Sequence, residues 1–382
     1  MGQTLIQISE TLKNSDKKVQ LIYAFNGTGK TRLSREFRLL VAPKDVEDEE
    51  ETGIKILYYN AFTEDLFYWD NDLDADLNRK LLIRPNGFTN MVLKFLKDQG
   101  IDGNIISNFQ HYTSNKLTPR FNEQYTIKDE NNNDVIVKAY SEMTFSIEAG
   151  NEERIENIKI SKAEESNLIW CVFYSLLEQV VEILNNPEID NRSTDKFNDL
   201  KYVFIDDPVS SLDDNHLIEL AVNLATLIKK SNGLKFIVST HSPLFYNVLF
   251  NELGNKACYM FNKFEDGTYE LTEKNGDSNK SFSYHLFLIQ TIQEAFDNSA
   301  IQKYHFILLR NLYEKTANFL GYPEWKRLLP DDRQTYYNRI IQFTSHSTLS
   351  NEVVPDPTEP EKQTVKFLLD HLTTNYNYWK EA

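Results

Sequence analysis

Six consecutive residues, Asn26-Gly27-Thr28-Gly29-Lys30-Thr31, have the types and spacing of a loop that holds a triphosphate. The two glycines let successive backbone N–H groups turn inward, and the helix that follows adds the partial positive charge of its N-terminus. Lys30 would bridge the β- and γ-phosphates, and the Thr31 hydroxyl would hold Mg²⁺. Where such loops usually begin with Gly, this chain has Ala24. Two carboxylates, Asp206 and Asp207, close the apolar run Tyr202-Val203-Phe204-Ile205. Unpaired charge at the end of a buried strand is expensive. Asp206 therefore suits ligation of Mg²⁺, directly or through water, and Asp207 suits orienting or deprotonating an attacking water. His241 ends a further apolar run, Phe236-Ile237-Val238-Ser239-Thr240, where it would sense a γ-phosphate or cap the strand. A separate set stands far downstream. Arg310, Glu314 and His346 are the side-chain types needed for metal-free RNA cleavage. The carboxylate takes the 2′-OH proton, the imidazole protonates the leaving 5′ oxygen, and the guanidinium steadies the phosphorane.

These residues need elements to aim them. Val19 to Tyr23 is a β-prone run, and Leu33 and Phe37 follow the glycine loop at helical spacing, giving strand, loop and helix in the order a phosphate loop requires. Residues 5–25 read as two strands around Asn14-Ser15-Asp16. Ile54 to Tyr59 reads as a buried strand ending at Asn60, a side chain that either reaches the Mg²⁺ site or caps a turn. Residues 88–117 read as short helices, and Tyr125–Ile127 and Val135–Val137 as a β hairpin around Asn131-Asn132-Asn133. Ser161, with Glu164 three residues on, opens an apolar helix by a capping box. That helix start is purely structural, or it is an anion site for a γ-phosphate carried by a second subunit. Asp213, after Ser210-Ser211-Leu212, is a helix cap or a subunit contact. From residue 263 the pattern turns helical, over 284–298, 301–320, 331–343 and 361–375. Arg310 and Glu314, four apart, share one face of a helix whose Phe306, Ile307, Leu309 and Phe319 read as buried, so the pair reads as part of a pocket. A plain surface ion pair is the other account.

At 382 residues the chain is long for one core, and two units are expected. Its net charge of −16 argues against general affinity for DNA or a membrane surface. Residues 301–350 nevertheless carry seven positive and four negative residues, a modest local patch for a polyanion. Cys171 and Cys258 lack the spacing of a zinc site or a disulfide pair. No apolar run reads as a membrane span and no secretory leader is visible, so a cytoplasmic protein is expected. Nor is there a heptad run to make a coiled-coil arm.

Taken in order, Asn26–Thr31, Ser161–Glu164, Ile205-Asp206-Asp207-Pro208, Ser210–Asp213 and His241 resemble the ABC-type ATPases, close to the SMC and RecF branch. The resemblance covers residues 1–262 and implies an α/β fold: a P-loop ATPase head with a β-rich and helical insertion at about 88–158. It also implies that two copies sandwich two nucleotides, ATP or GTP with Mg²⁺, each phosphate loop facing the Ser161 region of the other copy. The chain departs from that family twice: Ile160-Ser161-Lys162-Ala163-Glu164 replaces a Leu-Ser-Gly-Gly-type signature, and Asp207 stands where Glu is usual. A carboxylate one methylene shorter sits farther from the water, so slow turnover suited to a switch is expected.

The remainder, 263–382, resembles the mainly helical tRNase domain of PrrC-type anticodon nucleases, through Gly276-Asp277-Ser278-Asn279-Lys280, Arg310-Asn311-x-x-Glu314-Lys315 and His346. In that family Arg, Glu and His form the nuclease triad. The resemblance assigns anticodon recognition to the stretch holding Asp277, Ser278 and Lys280, with Asp277 contacting a modified wobble base. It implies cleavage of the lysine tRNA anticodon loop, leaving a 2′,3′-cyclic phosphate and a 5′-OH, with no metal at the nuclease site. It further implies latency in a type I restriction–modification complex, release during phage infection, and control by ATP or GTP hydrolysis and dTTP binding. A DNA-repair ATPase, or a nucleotide sensor with a non-catalytic tail, is the alternative.

Overall fold

A computed structural model describes residues 2–43, 53–60, 63, 65–72, 77–85, 87–100, 102–128, 131–148, 154–208, 214–264, 266–274, 284–344, 357–376 and 378. They fall into two units, Met1–Asn275 and Gly276–Ala382.

The first unit opens with α1 (Leu5–Asn14), β1 (Val19–Tyr23), α2 (Lys30–Val41) and β2 (Ile56–Tyr59). A strand was expected where α1 lies, because Leu5-Ile6-Gln7-Ile8-Ser9 alternates roughly in period two. The capping box decides otherwise: the Thr4 hydroxyl accepts from the Gln7 N–H, and the Gln7 side chain accepts from the Thr4 N–H at 2.8 Å. Ile8 and Leu12, one helical turn apart, are then fully buried. They pack with Leu33 and Phe37 of α2 on one face of the main sheet.

Next come β3 (Phe67–Asp70), β4 (Lys80–Ile83), α3 (Gly87–Gln99), α4 (Asp102–Tyr112), β5 (Leu117–Phe121), β6 (Tyr125–Lys128), β7 (Asp134–Val137), β8 (Glu142–Glu148) and β9 (Arg154–Ile155). Strands β3, β4, β8 and β5 form a second sheet in that order, with β9 added to β8, while β6 and β7 pair alone. The lobe therefore begins with β3, before the insertion expected at 88.

The helix α5 (Lys162–Asn185) starts at Ser161, with both hydrogen bonds of its capping box formed. Its length and apolarity would suffice to cross a bilayer, contrary to the sequence expectation, but 78% of its most apolar window is buried inside the protein. Then follow β10 (Tyr202–Asp206), α6 (Asp214–Lys230), β11 (Lys235–Thr240), α7 (Pro243–Glu252), β12 (Lys256–Lys263) and β13 (Tyr269–Glu273).

The main sheet has the order β13-β12-β1-β11-β10-β2. All its neighbours run parallel except β13, which is antiparallel to β12. In such sheets ligands bind beyond the carboxyl ends of the strands. Because β1, β2, β10 and β11 run the same way, their ends at Tyr23, Tyr59, Asp206 and Thr240 lie along one edge. Pairing of β13 with β12 also carries the first unit to Asn275, past the boundary at 262 read from the sequence.

The second unit has α8 (Tyr284–Asp297), α9 (Lys303–Phe319), a 3₁₀ turn at Trp325–Leu328, α10 (Arg333–Thr344) and α11 (Glu359–Asn375). They close over Leu288, Ile292, Phe306, Leu309, Leu312, Tyr313, Ile340, Leu368 and Leu372, nearly all without solvent contact. Each such side chain contributes about 1.5–3 kcal/mol of transfer free energy.

Candidate functional sites

The loop from Ala24 to Gly29 leaves β1 and enters α2 through two glycines in positive φ, Gly27 at 81° and Gly29 at 108°. Gly29 is the N-cap of α2 and provides no side-chain cap, so the first N–H groups of α2 are left for another acceptor. Lys30 is buried, 6% exposed, and its ammonium curls back over the loop. It donates to the Ala24 carbonyl at 3.2 Å, the Phe25 carbonyl at 3.3 Å and Asn26 Oδ1 at 3.3 Å. It also lies 3.4 Å from Asp207 Oδ2. Thr28 closes the loop, its N–H donating to the Phe25 carbonyl at 3.3 Å.

Asp206 is almost fully buried and takes two hydroxyl donors, Thr31 at 2.7 Å and Ser239 at 2.6 Å. Burial pushes its carboxyl above the usual range, against the pull of those two hydroxyls. A divalent cation seated between Thr31 and Asp206 would reverse that balance, and a hydroxyl and a carboxylate are the hard oxygen donors that Mg²⁺ prefers. The donor set thus fits the Mg²⁺ that a nucleotide would bring.

Asp207 shows how one strand end supplies two acids to one site. Successive side chains of a strand point to opposite faces, yet Asp207 has φ +53°, the left-handed region that Asp tolerates better than most residues. The turn carries its carboxylate back toward the phosphate loop. There it meets Lys30, the His241 ring (Nδ1 to Oδ1 2.7 Å) and the Thr240 hydroxyl at 3.3 Å. Burial alone would raise this carboxyl. The His241 hydrogen bond, then the charges of Lys30 and His241, outweigh it and hold the group below the usual range. Asp207 is therefore an anion poised beside the Lys30 ammonium.

Asn60 is fully buried, and its amide donates to the Ser34 hydroxyl of α2 at 3.1 Å while its N–H donates to Thr63 Oγ1 at 3.2 Å. It ties β2 to the helix that carries Lys30 and Thr31. Ser161 is exposed, and its hydroxyl is used in its own cap. Beside it, Lys162 pairs with the buried Glu165 at 2.7 Å, and Glu165 accepts from the Trp69 indole of β3 at 2.8 Å. Asp213 lies outside the described residues.

In the second unit, Arg310 Nε donates to Glu314 Oε1 at 2.7 Å along one face of α9, each side chain about one-third exposed. Glu314 borders a cavity of about 400 Å³ that Asn318, Glu324, Trp325, Lys326 and Tyr337 also line. His346, Asp277, Ser278 and Lys280 lie outside the described residues. The structure thus unites two of the three expected nuclease residues, and it unites Asn26, Lys30, Thr31, Asp206, Asp207 and His241 around the phosphate loop.

Sequence reasoning passed over Ser239, although it stands in the polar run Ser239-Thr240-His241 at a strand end. It also passed over Tyr269. The Tyr269 ring stacks on Phe261, its centroid 5.4 Å away, and lies 3.4 Å from where a Cβ on Gly29 would stand. No local signal marks that contact, since 240 residues separate the partners.

Comparison with known proteins gives one full-length relative. The chain is 59% identical over 406 aligned positions to an Escherichia coli protein named "Anticodon nuclease", covering 100% of this chain and 99% of that one. No family model matches. Among solved structures, a Pyrococcus furiosus Smc head with an extended coiled coil, bound to the C-terminal domain of ScpA, aligns with 54% of this chain and 42% of its own, at 14% identity and TM-score 0.28. A Smc head bound to the ScpA C-terminal winged-helix domain aligns with 70% of this chain and 93% of its own, at 12% identity and TM-score 0.32. The protein titled "RNase-L Inhibitor" aligns with 72% of this chain and 38% of its own, at 11% identity and TM-score 0.35.

Proposed function

Because the chain belongs to the anticodon nuclease family, we propose that it is a nucleotide-controlled endoribonuclease whose substrate is the anticodon loop of a lysine-type tRNA. The observation that carries this reading is the Arg310–Glu314 pair, held 2.7 Å apart with Glu314 lining a polar cavity, within a chain 59% identical to the relative along its whole length. Glu314 takes the proton of the 2′-OH, and that oxygen attacks the adjacent phosphorus. His346 gives its proton to the departing 5′ oxygen, leaving a 2′,3′-cyclic phosphate and a 5′-OH without a metal. Arg310 offsets the charge that builds on the phosphorane. Asp277, Ser278 and Lys280 meet the loop bases, which an unpaired strand can splay outward.

In the first unit, Lys30 and the glycine loop hold the phosphates of ATP or GTP, Thr31 and Asp206 hold Mg²⁺, and Asp207 positions the attacking water, with His241 beside it. Bound Mg²⁺ neutralises phosphate charge and draws Asp206 into its ionised form. Two heads close on two nucleotides, with Ser161 and Asp213 at the contact, and this pairing sets the state of the nuclease units. A type I restriction–modification complex keeps the protein latent in the cytoplasm, phage infection releases it, and dTTP tunes the release.

The test is to express wild type, His346→Ala and Lys30→Ala and to map tRNA ends in the cell. Lysine-tRNA breaks with growth arrest are expected from wild type alone. Absence of breaks under every activating condition overturns the nuclease, and full toxicity of Lys30→Ala overturns nucleotide control.

A further inference from the structure

The cavity beside Glu314 has the size, chemistry and position of a base-binding subsite. Its volume of about 400 Å³ lies within the range of ordinary small-ligand sites, roughly 300–1,000 Å³. One side is aromatic: Trp325 of the 3₁₀ turn stacks on Tyr337 of α10, ring centroids 5.2 Å apart and planes 28° from parallel. Both rings are only partly buried, and Tyr313 meets the indole edge-on from the core at 6.2 Å, fixing its orientation. Another side is polar. Asn318 stands one helical turn beyond Glu314 on α9 and is exposed, with an amide that both donates and accepts. At the rim, Lys326 pairs with Glu324 at 3.1 Å, so the lining carries one ammonium beside the Glu314 and Glu324 carboxylates.

Stacking plane and amide around a space of this size suit a flat heteroaromatic ring, and Lys326, balanced by Glu324, stands at its rim. We propose that this cavity seats one unstacked nucleobase of the RNA substrate, the one adjoining the bond that Glu314 helps to break. Trp325 and Tyr337 serve as its platform, and Asn318 reads its edge. The proposal rests on the nuclease reading above. It adds a position determinant independent of the Asp277 stretch, since α9, the 3₁₀ turn and α10 build it within one core. Base stacking of this kind tolerates any base, so Trp325 fixes where the strand sits and Asn318 supplies the preference for one base.

The experiment uses the full purified chain under activating nucleotide, with synthetic lysine-tRNA anticodon stem-loops in which each loop nucleotide in turn is made abasic. Wild type, Trp325→Leu and Asn318→Ala are compared by kcat and KM. Trp325→Leu raises KM by about 10- to 100-fold on the intact loop, the stacking contribution of one base. One abasic position beside the cut raises the wild-type KM by a similar factor and costs Trp325→Leu less than about threefold more, as expected for partners in one contact. Asn318→Ala, on an exposed face, raises KM by about 3- to 10-fold and loses discrimination at that same position. This variant decides the matter if Trp325→Leu fails to fold. Effects that multiply at every loop position, or an unchanged KM in both variants while wild type still cuts the loop, overturn the subsite and leave the nuclease standing. A wild type that cuts no anticodon loop overturns both.

Discussion

Replacing Glu314 by Gln separates an ion pair that only stabilises a helix from one that does chemistry. Gln keeps the length of the side chain and an oxygen that can still accept from Arg310 Nε, now 2.7 Å from the carboxylate. What is lost is charge and basicity. Both partners are about one-third exposed, so solvent screens their attraction. An i,i+4 pair of this kind contributes about 0.3–0.5 kcal/mol. In a helical unit of this size, running from Gly276 to Ala382, that corresponds to a melting shift of roughly 1–2 °C. Loss of a general base, by contrast, lowers the rate by about 10²–10⁴-fold. The two accounts therefore differ by orders of magnitude in cleavage while agreeing on stability. The assay is thermal melting beside single-turnover cleavage of lysine tRNA, read as 2′,3′-cyclic phosphate ends. Cleavage within tenfold of wild type, in a protein that melts normally, would refute the assignment of Glu314 as the base. A melting drop above about 10 °C would instead show that the pair holds the unit together, against the screening argument.

Two further outcomes follow from the geometry. Gly29→Ala places an L residue at φ +108°, a strain of about 1–3 kcal/mol; the added methyl meets Tyr269 only at ordinary contact distance, 3.4 Å, so backbone strain decides the effect. Nucleotide titration should show a large loss of affinity, and wild-type affinity would mean that the loop does not cradle phosphate as argued. The helical unit should also lose stability in mild acid. Burial holds His305 below its ordinary pKa, against a backbone hydrogen bond with Gln302, and burial followed by the nearby Lys315 charge does the same for His285. The unfolded chain then binds more protons than the fold once pH falls below about 6.5, so stability is full above that value and declines beneath it. Melting curves between pH 8 and 5 should show this decline, with His305→Gln flattening part of it. A flat wild-type profile would contradict the sign.

Much of the phosphate loop and its surroundings is written locally. The glycine loop, the helix spacing of Leu33 and Phe37 and the paired acids closing an apolar run all act within a few residues, so type and spacing suffice to read them, and the Ser161–Glu164 capping box is read the same way. The Arg310–Glu314 contact was legible for the same reason, since four residues along a helix is one turn. Even so, a local signal misled at the N-terminus, where the apolar alternation of Leu5 to Ser9 concealed the Thr4–Gln7 cap that makes α1 a helix.

Tertiary structure alone settled what depends on long-range neighbours. The order β1-β11-β10 brings Ser239 against Asp206 across 33 residues. The left-handed turn at Asp207 sends two consecutive acids to one site, against the alternation a strand imposes. Tyr269 reaches Gly29 only because β13 pairs with β12, and that same pairing sets the end of the first unit. Trp325 and Tyr337 become neighbours of Glu314 only once α9 and α10 share a core. Spacing along a chain fixes which groups one short element presents; which element stands opposite is decided by the burial of whole faces, a sum over residues far apart in sequence.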